Sequence, residues 1–342
     1  MVRLDSEITL SEQVFKFCHE VSIVSSYDNL LDSGKVIIPK RIRYVNQQGQ
    51  SVPNITQGPN ALFKAGDKVN IKVGYNAKIS QVFTGYIKAV RTKFPLLFEI
   101  EDEVYKLKQN RLNLSVNNPK LSALLKLIIP EGIAYQVTAE QNLGKFRIKN
   151  ASSAEVLDEL RKKHGIYSFF RNGVLYVGLS VNPSLQTVHR FEFNTPTLIN
   201  GDSLKFIDES ERKIKVICKS IDDNNNTLEA TAGDVDGETR TLYFNNYNLT
   251  DLQATANRLK DGLKYSGYEG HFLTFVSPLV NHGDIVELIN KTIPEQSGGY
   301  LVTQVVTTFG YNTGGRQKIY IKQKAYDLIE DASGNFIQKA IS

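Results

Sequence analysis

The stretch K-A-G-D-K-V-N-I-K-V-G-Y-N at residues 64–76 has an echo far along the chain, V-N-H-G-D-I-V-E-L-I-N at residues 280–290. Both read Gly-Asp-x-Val and then alternate apolar with polar residues: Gly66-Asp67-Lys68-Val69-Asn70-Ile71 and Gly283-Asp284-Ile285-Val286-Glu287-Leu288. That pattern is a turn feeding a half-buried strand. Glycine supplies a backbone angle that other residues resist, and aspartate can accept from its own turn amides as the strand begins. The echo continues: Gly85-Tyr86-Ile87 starts 19 positions after Gly66, and Gly299-Tyr300-Leu301 starts 16 after Gly283. Gly-Asp turns also recur by chance in β-rich chains, but two linked signatures in one order point to a duplicated β-unit.

Texture along the chain places the copies. Residues 1–109 read as short strands broken by Gly, Pro and Asn: 21–25, 35–39, 41–45, 68–74, 81–91 and 96–100, with a short helix over 102–109. Such spacing favours a barrel or sandwich. Residues 110–182 change character. Asn118-Pro119 offers a cap and a first-turn proline, after which Leu121, Leu124, Leu125 and Ile128 recur at helical spacing. A second helix starts at Ser152 with a capping-box partner in Glu155 and stops at Gly165, and a hairpin turned by Asn172-Gly173 follows. β-texture returns over 183–326, with strands near 189–193, 212–220, 227–231, 239–244 and 316–324. One helix interrupts it, with Thr250 as the expected cap, Gln253 completing a capping box, and Leu252, Ala256, Leu259 and Leu263 as its buried stripe. Residues 327–342 read as a loosely held tail. The expected class is mainly β with an α+β insert: a β-unit at 1–109, the insert at 110–182, and a second β-unit with one helix at 183–326.

The 342 residues suffice for two or three domains, and 41% hydrophobic with 23% charged residues is ordinary globular composition. Net charge is only +5, too small to argue for nucleic acid, which needs a clustered basic face. The two cysteines, Cys18 and Cys218, fit neither a disulfide framework nor a zinc site and read as buried apolar residues. The N-terminus lacks an apolar core behind its charge, and no stretch reaches the ~18 apolar residues of a membrane span. The chain is therefore expected to be made and folded in the cytosol.

Candidate chemistry resolves into decoys. Gly201-Asp202-Ser203-Leu204 looks like the nucleophile block of GDSL esterases, which pair their serine with a histidine three residues after an aspartate. The residues three before the histidines here are Lys16, Arg161, Gln186, Tyr268 and Leu279, so Ser203 is expected to mark only a turn. His19, His164, His189, His271 and His282 form no metal-ligand spacing; His164 reads as a favoured cation in a last helical turn and His282 as a turn residue. The stretches 222–226 and 233–237 lack the alternate ligands of a calcium loop and read as hairpin tips. The acidic run Glu99, Glu101, Asp102 and Glu103 could in principle cleave sugars but reads as a solvated face. No catalytic residue, metal or cofactor is expected.

The order of parts resembles the baseplate hub proteins of contractile-tailed phages, the Mu-like and late-control-protein-D-like tail proteins. The resemblance lies in residues 83–87 followed by 94–103, and in 153–170, where a helix leads into a Gly-Ile-Tyr hairpin as it also does in type VI secretion spike proteins. It spans residues 10–325. It implies two tube-protein-like β-barrels related by internal duplication, marked by the turn motifs Gly66, Asp67, Gly85, Tyr86, Gly283, Asp284, Gly299 and Tyr300, and a homotrimer. Implied partners are the tail tube protein, a separate central spike protein and other baseplate proteins, with no specific nucleic-acid binding. The implied location is a virion tail or baseplate, assembled in the host cytoplasm. A carbohydrate-binding or glycan-cleaving tail-tip protein is the alternative; the absence of Trp weighs against it.

Overall fold

The structure is a computed structural model that describes residues 3–39, 43–45, 49–53, 62–91, 95–179, 181–199, 201, 203–222, 226–331 and 335–340. Arg41, Phe94, Asp202 and residues 223–225, used in the readings above, lie outside the described residues.

The first β-unit contains β1 (Leu4–Leu10), β2 (Gln13–Phe15), β3 (Glu20–Ser26), β4 (Ser33–Ile38), β5 (Arg43–Val45), β6 (Ser51–Pro53), β7 (Lys68–Tyr75), β8 (Lys78–Arg91) and β9 (Leu96–Glu101). Its strands alternate apolar and polar residues, so Ile8, Leu10, Ile71, Phe98 and Ile100 fall on one face and form its core with Phe15 and Phe63. The one-turn helix α1 (Val104–Leu107) follows. It is shorter than the helix expected over 102–109. The Asp102 carboxylate accepts the Val104 N–H at 3.1 Å, which holds Asp102 outside the first turn.

The insert contains β10 (Leu112–Asn117), α2 (Leu121–Ile128), β11 (Ala134–Val137), β12 (Lys145–Ala151), α3 (Ser153–His164), β13 (Tyr167–Arg171) and β14 (Val174–Gly178). α3 has the expected capping box, Ser152 with Glu155, and ends on Gly165 in the left-handed region. α2 differs from expectation at its start. Asn118 adopts φ +47° and turns the chain, so Lys120 and not Asn118 precedes the first helical residue. Val104 and Leu107 of α1 pack into this insert's core beside Leu124, Val156 and Leu160.

The second β-unit contains β15 (Val188–Glu192), β16 (Leu204–Ile207), β17 (Ile214–Ile221), β18 (Thr227–Gly233), β19 (Glu238–Asn245), α4 (Leu249–Leu263), β20 (Gly267–Phe275), β21 (Ile285–Ile289), β22 (Gly298–Gly310), β23 (Gly314–Glu330) and β24 (Phe336–Lys339). The stretch 214–263 stands apart as a satellite. It forms its own sheet in the order β18-β17-β19, with α4 laid on it, and has its own core of Val216, Cys218, Ala230, Leu252 and Ala256. The expected capping box of α4 is not formed. The helix starts earlier, at Leu249, where the Asn248 side chain accepts the Asp251 N–H, so Thr250 lies inside the first turn and Gln253 reaches the Thr231 carbonyl. The expected loose tail is also corrected, because β24 pairs with Asp327–Glu330 of β23 and buries Phe336 against Leu328 and Ile289.

Apart from that satellite, the two β-units share one sheet. Its path runs β16-β20-β23-β22-β3-β4-β9-β8-β7-β1-β2-β5-β6, and the seam is the antiparallel pair β22 with β3, from Gln304↔Ser26 to Gly310↔Glu20. Phe309 and Val276 cross it into the first unit's core. Tyr75 is locked over it, donating to the Gly315 carbonyl and packing edge-on against Phe275. Such a seam satisfies two strand edges that would otherwise invite foreign pairing.

Candidate functional site

The duplicated turns can be compared bond by bond. Gly66 donates its N–H to the Ile87 carbonyl, and Ile87 returns its N–H to the Asp67 carbonyl, both at 2.8 Å. Gly283 and Asp284 make the same exchange with Val302, at 2.7 and 2.9 Å. Both glycines have positive φ, +92° and +82°. The next residue is a bulge in each copy: Lys88 is skipped against β9, and Thr303 is skipped against β23. Just before the bulge, Ile87 faces Ile100 and Val302 faces Ile321; these in turn face Gly34 and Gly270. A Cβ on either glycine would lie 2.4 Å from the Ser22 carbonyl oxygen or 2.1 Å from that of Ser203, so both positions exclude any side chain. The second half of the sequence echo does not align in this frame. Lys68 pairs with Tyr86 but Ile285 pairs with Leu301, which sets Gly85 against Tyr300 and leaves the two Gly-Tyr pairs one residue out of step. A one-residue slip reverses the face. Tyr300 is accordingly fully buried, whereas Tyr86 stacks on Tyr105 at the half-exposed outer face.

The two aspartates have also diverged. Among the described residues the Asp67 side chain accepts the Lys64 N–H alone, at 3.0 Å on the surface. Asp284 is 1% exposed and accepts from the Thr187 N–H, the Asn281 N–H at 2.8 Å and the His189 ring Nε2 at 3.2 Å.

A polar junction lies where the two β-units meet the hairpin of the insert. Its cavity of about 110 Å³ is lined by Asp32, Asp102, Glu103, Arg171 and His282 among others. Arg171, on β13, donates to the His282 carbonyl at 2.6 Å and lies within the field of both Asp284 and Asp32. Burial pushes His282 down to about 3, so the ring is neutral, edge-on to Phe169. Asp32 and Asp102 face each other across β4's entry: Asp102 accepts the Asp32 N–H, while Asp32 accepts from the Ser25 hydroxyl and the Ser26 N–H. Burial holds the Asp32 carboxyl up at about 6, and burial together with the Asp32 charge raises Asp102.

These shifts predict a pH-dependent phenotype. A raised carboxyl binds its proton more tightly in the folded chain, so its contribution is favourable below about pH 4 and is lost as pH rises through about 6. Asp32→Asn keeps an acceptor for Ser26 and turns a donor toward Ser25. It is expected to stabilise the protein at pH 7.5 by on the order of 1 kcal/mol, about 2 °C in melting temperature, with no gain at pH 4. The neutral His282 has the opposite dependence, favouring the fold more as pH rises from about 3 toward 6.5. Comparing variant and parent at each pH cancels that contribution. An equal gain at both pH values would remove the carboxyl from the explanation.

The other candidates separate. Ser203 is exposed in the turn entering β16. The acidic run does not form the solvated face expected of it. Glu99 pairs with Arg91, Glu101 is buried between Lys88 and Lys108 at 2.7 Å each, Asp102 points into the junction, and Glu103 accepts from Thr84. Burial raises the Glu101 carboxyl, but the two lysines outweigh it and hold the group below its ordinary value. Asp222 and Asn226 close the β17–β18 hairpin as expected. Residues 233–237 are not a hairpin tip: β17 lies between β18 and β19, so this segment crosses the start of β17, with the Asp234 carboxylate accepting the Ile214 N–H. His164 is buried, and desolvation pushes it down, which removes the expected cation from the end of α3. Cys18 and Cys218 are buried as expected. Among the described residues no group of three or more His, Cys, Asp or Glu could hold a metal, and no helix is long and apolar enough to cross a membrane.

No protein-family model matches the chain, and no curated protein matches it in sequence. Solved structures do match. A tail protein from Neisseria meningitidis superposes with a TM-score of 0.60 at 17% identity, over 94% of this chain and 96% of that one. The 43 kDa tail protein of prophage MuSo2 from Shewanella oneidensis gives 0.58 at 13% identity, over 94% and 97%. The chain has the fold of these phage tail proteins. A type VI secretion component from E. coli, described as similar to the T4 tail proteins gp27 and gp5, gives 0.54 at 9% identity, over 99% of this chain and 79% of that one. The tail-protein fold, mainly β with a small α+β insert, is thus the one the sequence resemblance implied.

The sequence reading missed the bulge twins Lys88 and Thr303, the glycine twins Gly34 and Gly270, and the junction residues Asp32 and Arg171. No local motif marks the glycines, because what excludes a side chain there is a neighbouring strand distant in sequence.

Proposed function

We propose that the chain is the structural baseplate hub of a phage tail or phage-like contractile injection particle. In this reading it is a homotrimer. Residues 1–109 and 183–326 of each chain are tube-like barrels, and the six barrels form a pseudo-sixfold ring that joins a separate trimeric spike to a hexameric tail tube. Residues 110–182 lie outside the ring. The observation that carries the reading is the shared ladder signature of the two β-units, with the same reciprocal bonds and the same bulge, inside one sheet sewn at β3 and β22. Two related units per chain make threefold and sixfold neighbours compatible, and closed cyclic symmetry keeps the assembly finite. Among the described residues the sheet path ends on β16 and β6, whose outer edges ring neighbours would cover as β22 covers β3. The names of the fold neighbours, all tail or secretion components, support a structural and not a catalytic role.

Light scattering at micromolar protein, where mass action favours the oligomer, should report about 115 kDa, three times the 38.4 kDa chain. Electron microscopy should show an open channel with six similar lobes. A monomer or an even-numbered ring at that concentration overturns the reading.

A further inference from the structure

Strand β12 alternates exposed Lys145, Arg147 and Lys149 with buried Phe146 and Ile148. Its neighbour β10 sets Asn117, Ser115 and Asn113 opposite those three cations. Every outward side chain of β10 is therefore uncharged, and no carboxylate stands across the pair from the basic row. The sheet has two strands only, so among the described residues no strand covers the far edge of β12. A groove of about 490 Å³ opens there, between β12, the last turn of α3 and the satellite sheet; no residue of β10 lines it. Lys162, Lys163 and Lys219 also line it, but each is ion-paired, with Asp158, Glu159 and Glu229 respectively, so the charge the groove offers a partner is carried by β12. His164 also lines the groove. It is 8% exposed, and among the described residues its Nδ1 has no hydrogen-bond partner.

We propose that this groove binds an extended acidic segment of a partner protein, added as a third strand along the free edge of β12. Strand addition supplies backbone hydrogen bonds, and its two-residue period decides which side chains share a face. A segment with Asp or Glu at every second position places its carboxylates in cross-strand register with Arg147 and Lys149, where opposite charges stabilise the pairing. The intervening side chains face inward, toward Phe146 and His164. A nucleic-acid strand fits less well. Nonspecific strands need aromatic platforms for their bases, and the exposed-side ring here, Tyr243, is committed, with its hydroxyl on the Lys162 carbonyl and its ring against Gly165.

The test uses the full chain and a fluorescent peptide of seven residues alternating Glu with Thr, followed by anisotropy. Three competitors accompany it: a block peptide of the same composition, the alternating peptide N-methylated on its edge-facing amides, and a single-stranded oligonucleotide of equal charge. The alternating peptide is expected to bind at least about tenfold more tightly than each of the three, corresponding to about 1.4 kcal/mol. Arg147→Glu with Lys149→Glu should weaken it by a further factor of about ten without changing the melting temperature, since both side chains are exposed. Equal binding of the block or N-methylated peptide would reduce the groove to a nonspecific basic surface, and tighter binding of the oligonucleotide would assign it to nucleic acid. Either result overturns the proposal, as does an undiminished affinity in the double variant or no peptide binding at about millimolar concentration.

Discussion

Asp284→Ala is expected to destabilise the protein by about 3–5 kcal/mol, whereas Asp67→Ala, its counterpart in the first copy of the turn, should cost under about 1 kcal/mol. The difference follows from what each carboxylate holds. Removing Asp284 leaves the N–H groups of Thr187 and Asn281 and the His189 ring without their acceptor, at a position 1% exposed to water. Water cannot replace it cheaply there. The same position anchors an edge of the second unit, because the Ile285 N–H donates to the Thr187 carbonyl where the parallel ladder of β15 and β21 starts. Losing the anchor should fray β15 first. Asp67, by contrast, loses one surface bond from Lys64 that water can substitute. Thermal melts of the two variants against the parent read the contrast directly, with roughly 6–10 °C expected for Asp284→Ala and under roughly 2 °C for Asp67→Ala. Equal losses would mean that the buried acceptor cluster is not what holds this turn.

That contrast also shows which part of the architecture could be read from sequence. The alternation after Gly66 and after Gly283 is a local pattern, and both strands form where it places them, although β21 is buried at every position and is not the half-buried strand expected. Ser152, Glu155 and Gly165 likewise delimit α3 by contacts made within a few residues. The failures share a different origin. The satellite sheet of 214–263 is invisible locally, because β17 pairs in parallel with β19 and only the third dimension places it between β18 and β19. The seam joins β3 to β22, nearly three hundred positions apart. Asp102 read as part of a solvated acidic run because the cavity it faces is lined by residues of all three parts of the chain, among them Asp32, Arg171 and His282. The strand Lys145–Ala151 with its basic row was not read from the sequence at all, and that β10 answers the row with Asn and Ser is a pairing only the fold shows.

Tyr300→Ala supplies the sharpest test of the register. In the sequence Gly299-Tyr300 and Gly85-Tyr86 look like twins, which would assign their tyrosines equal importance. The ladders say otherwise: Tyr300 lies opposite Val286, as Gly85 lies opposite Val69, on the core side of its strand. Tyr300 is fully buried, its ring meets Tyr268 edge-on with centroids 6.2 Å apart, and its hydroxyl accepts the Tyr268 N–H at 3.1 Å. Truncation there removes a large core side chain and orphans a buried amide, an expected loss of about 3–5 kcal/mol. Tyr300→Phe keeps the volume and loses only the acceptor, so about 1–2 kcal/mol is expected. Tyr86 stacks on Tyr105, centroids 5.4 Å apart, with the Lys106 ammonium over its ring, all at a half-exposed surface. Its truncation should cost about 1 kcal/mol. Denaturant midpoints of the three variants decide the matter, provided the slope of each transition is unchanged. If Tyr86→Ala proved as damaging as Tyr300→Ala, the two strands would be in step after all, and the one-residue offset between the copies would have to be abandoned.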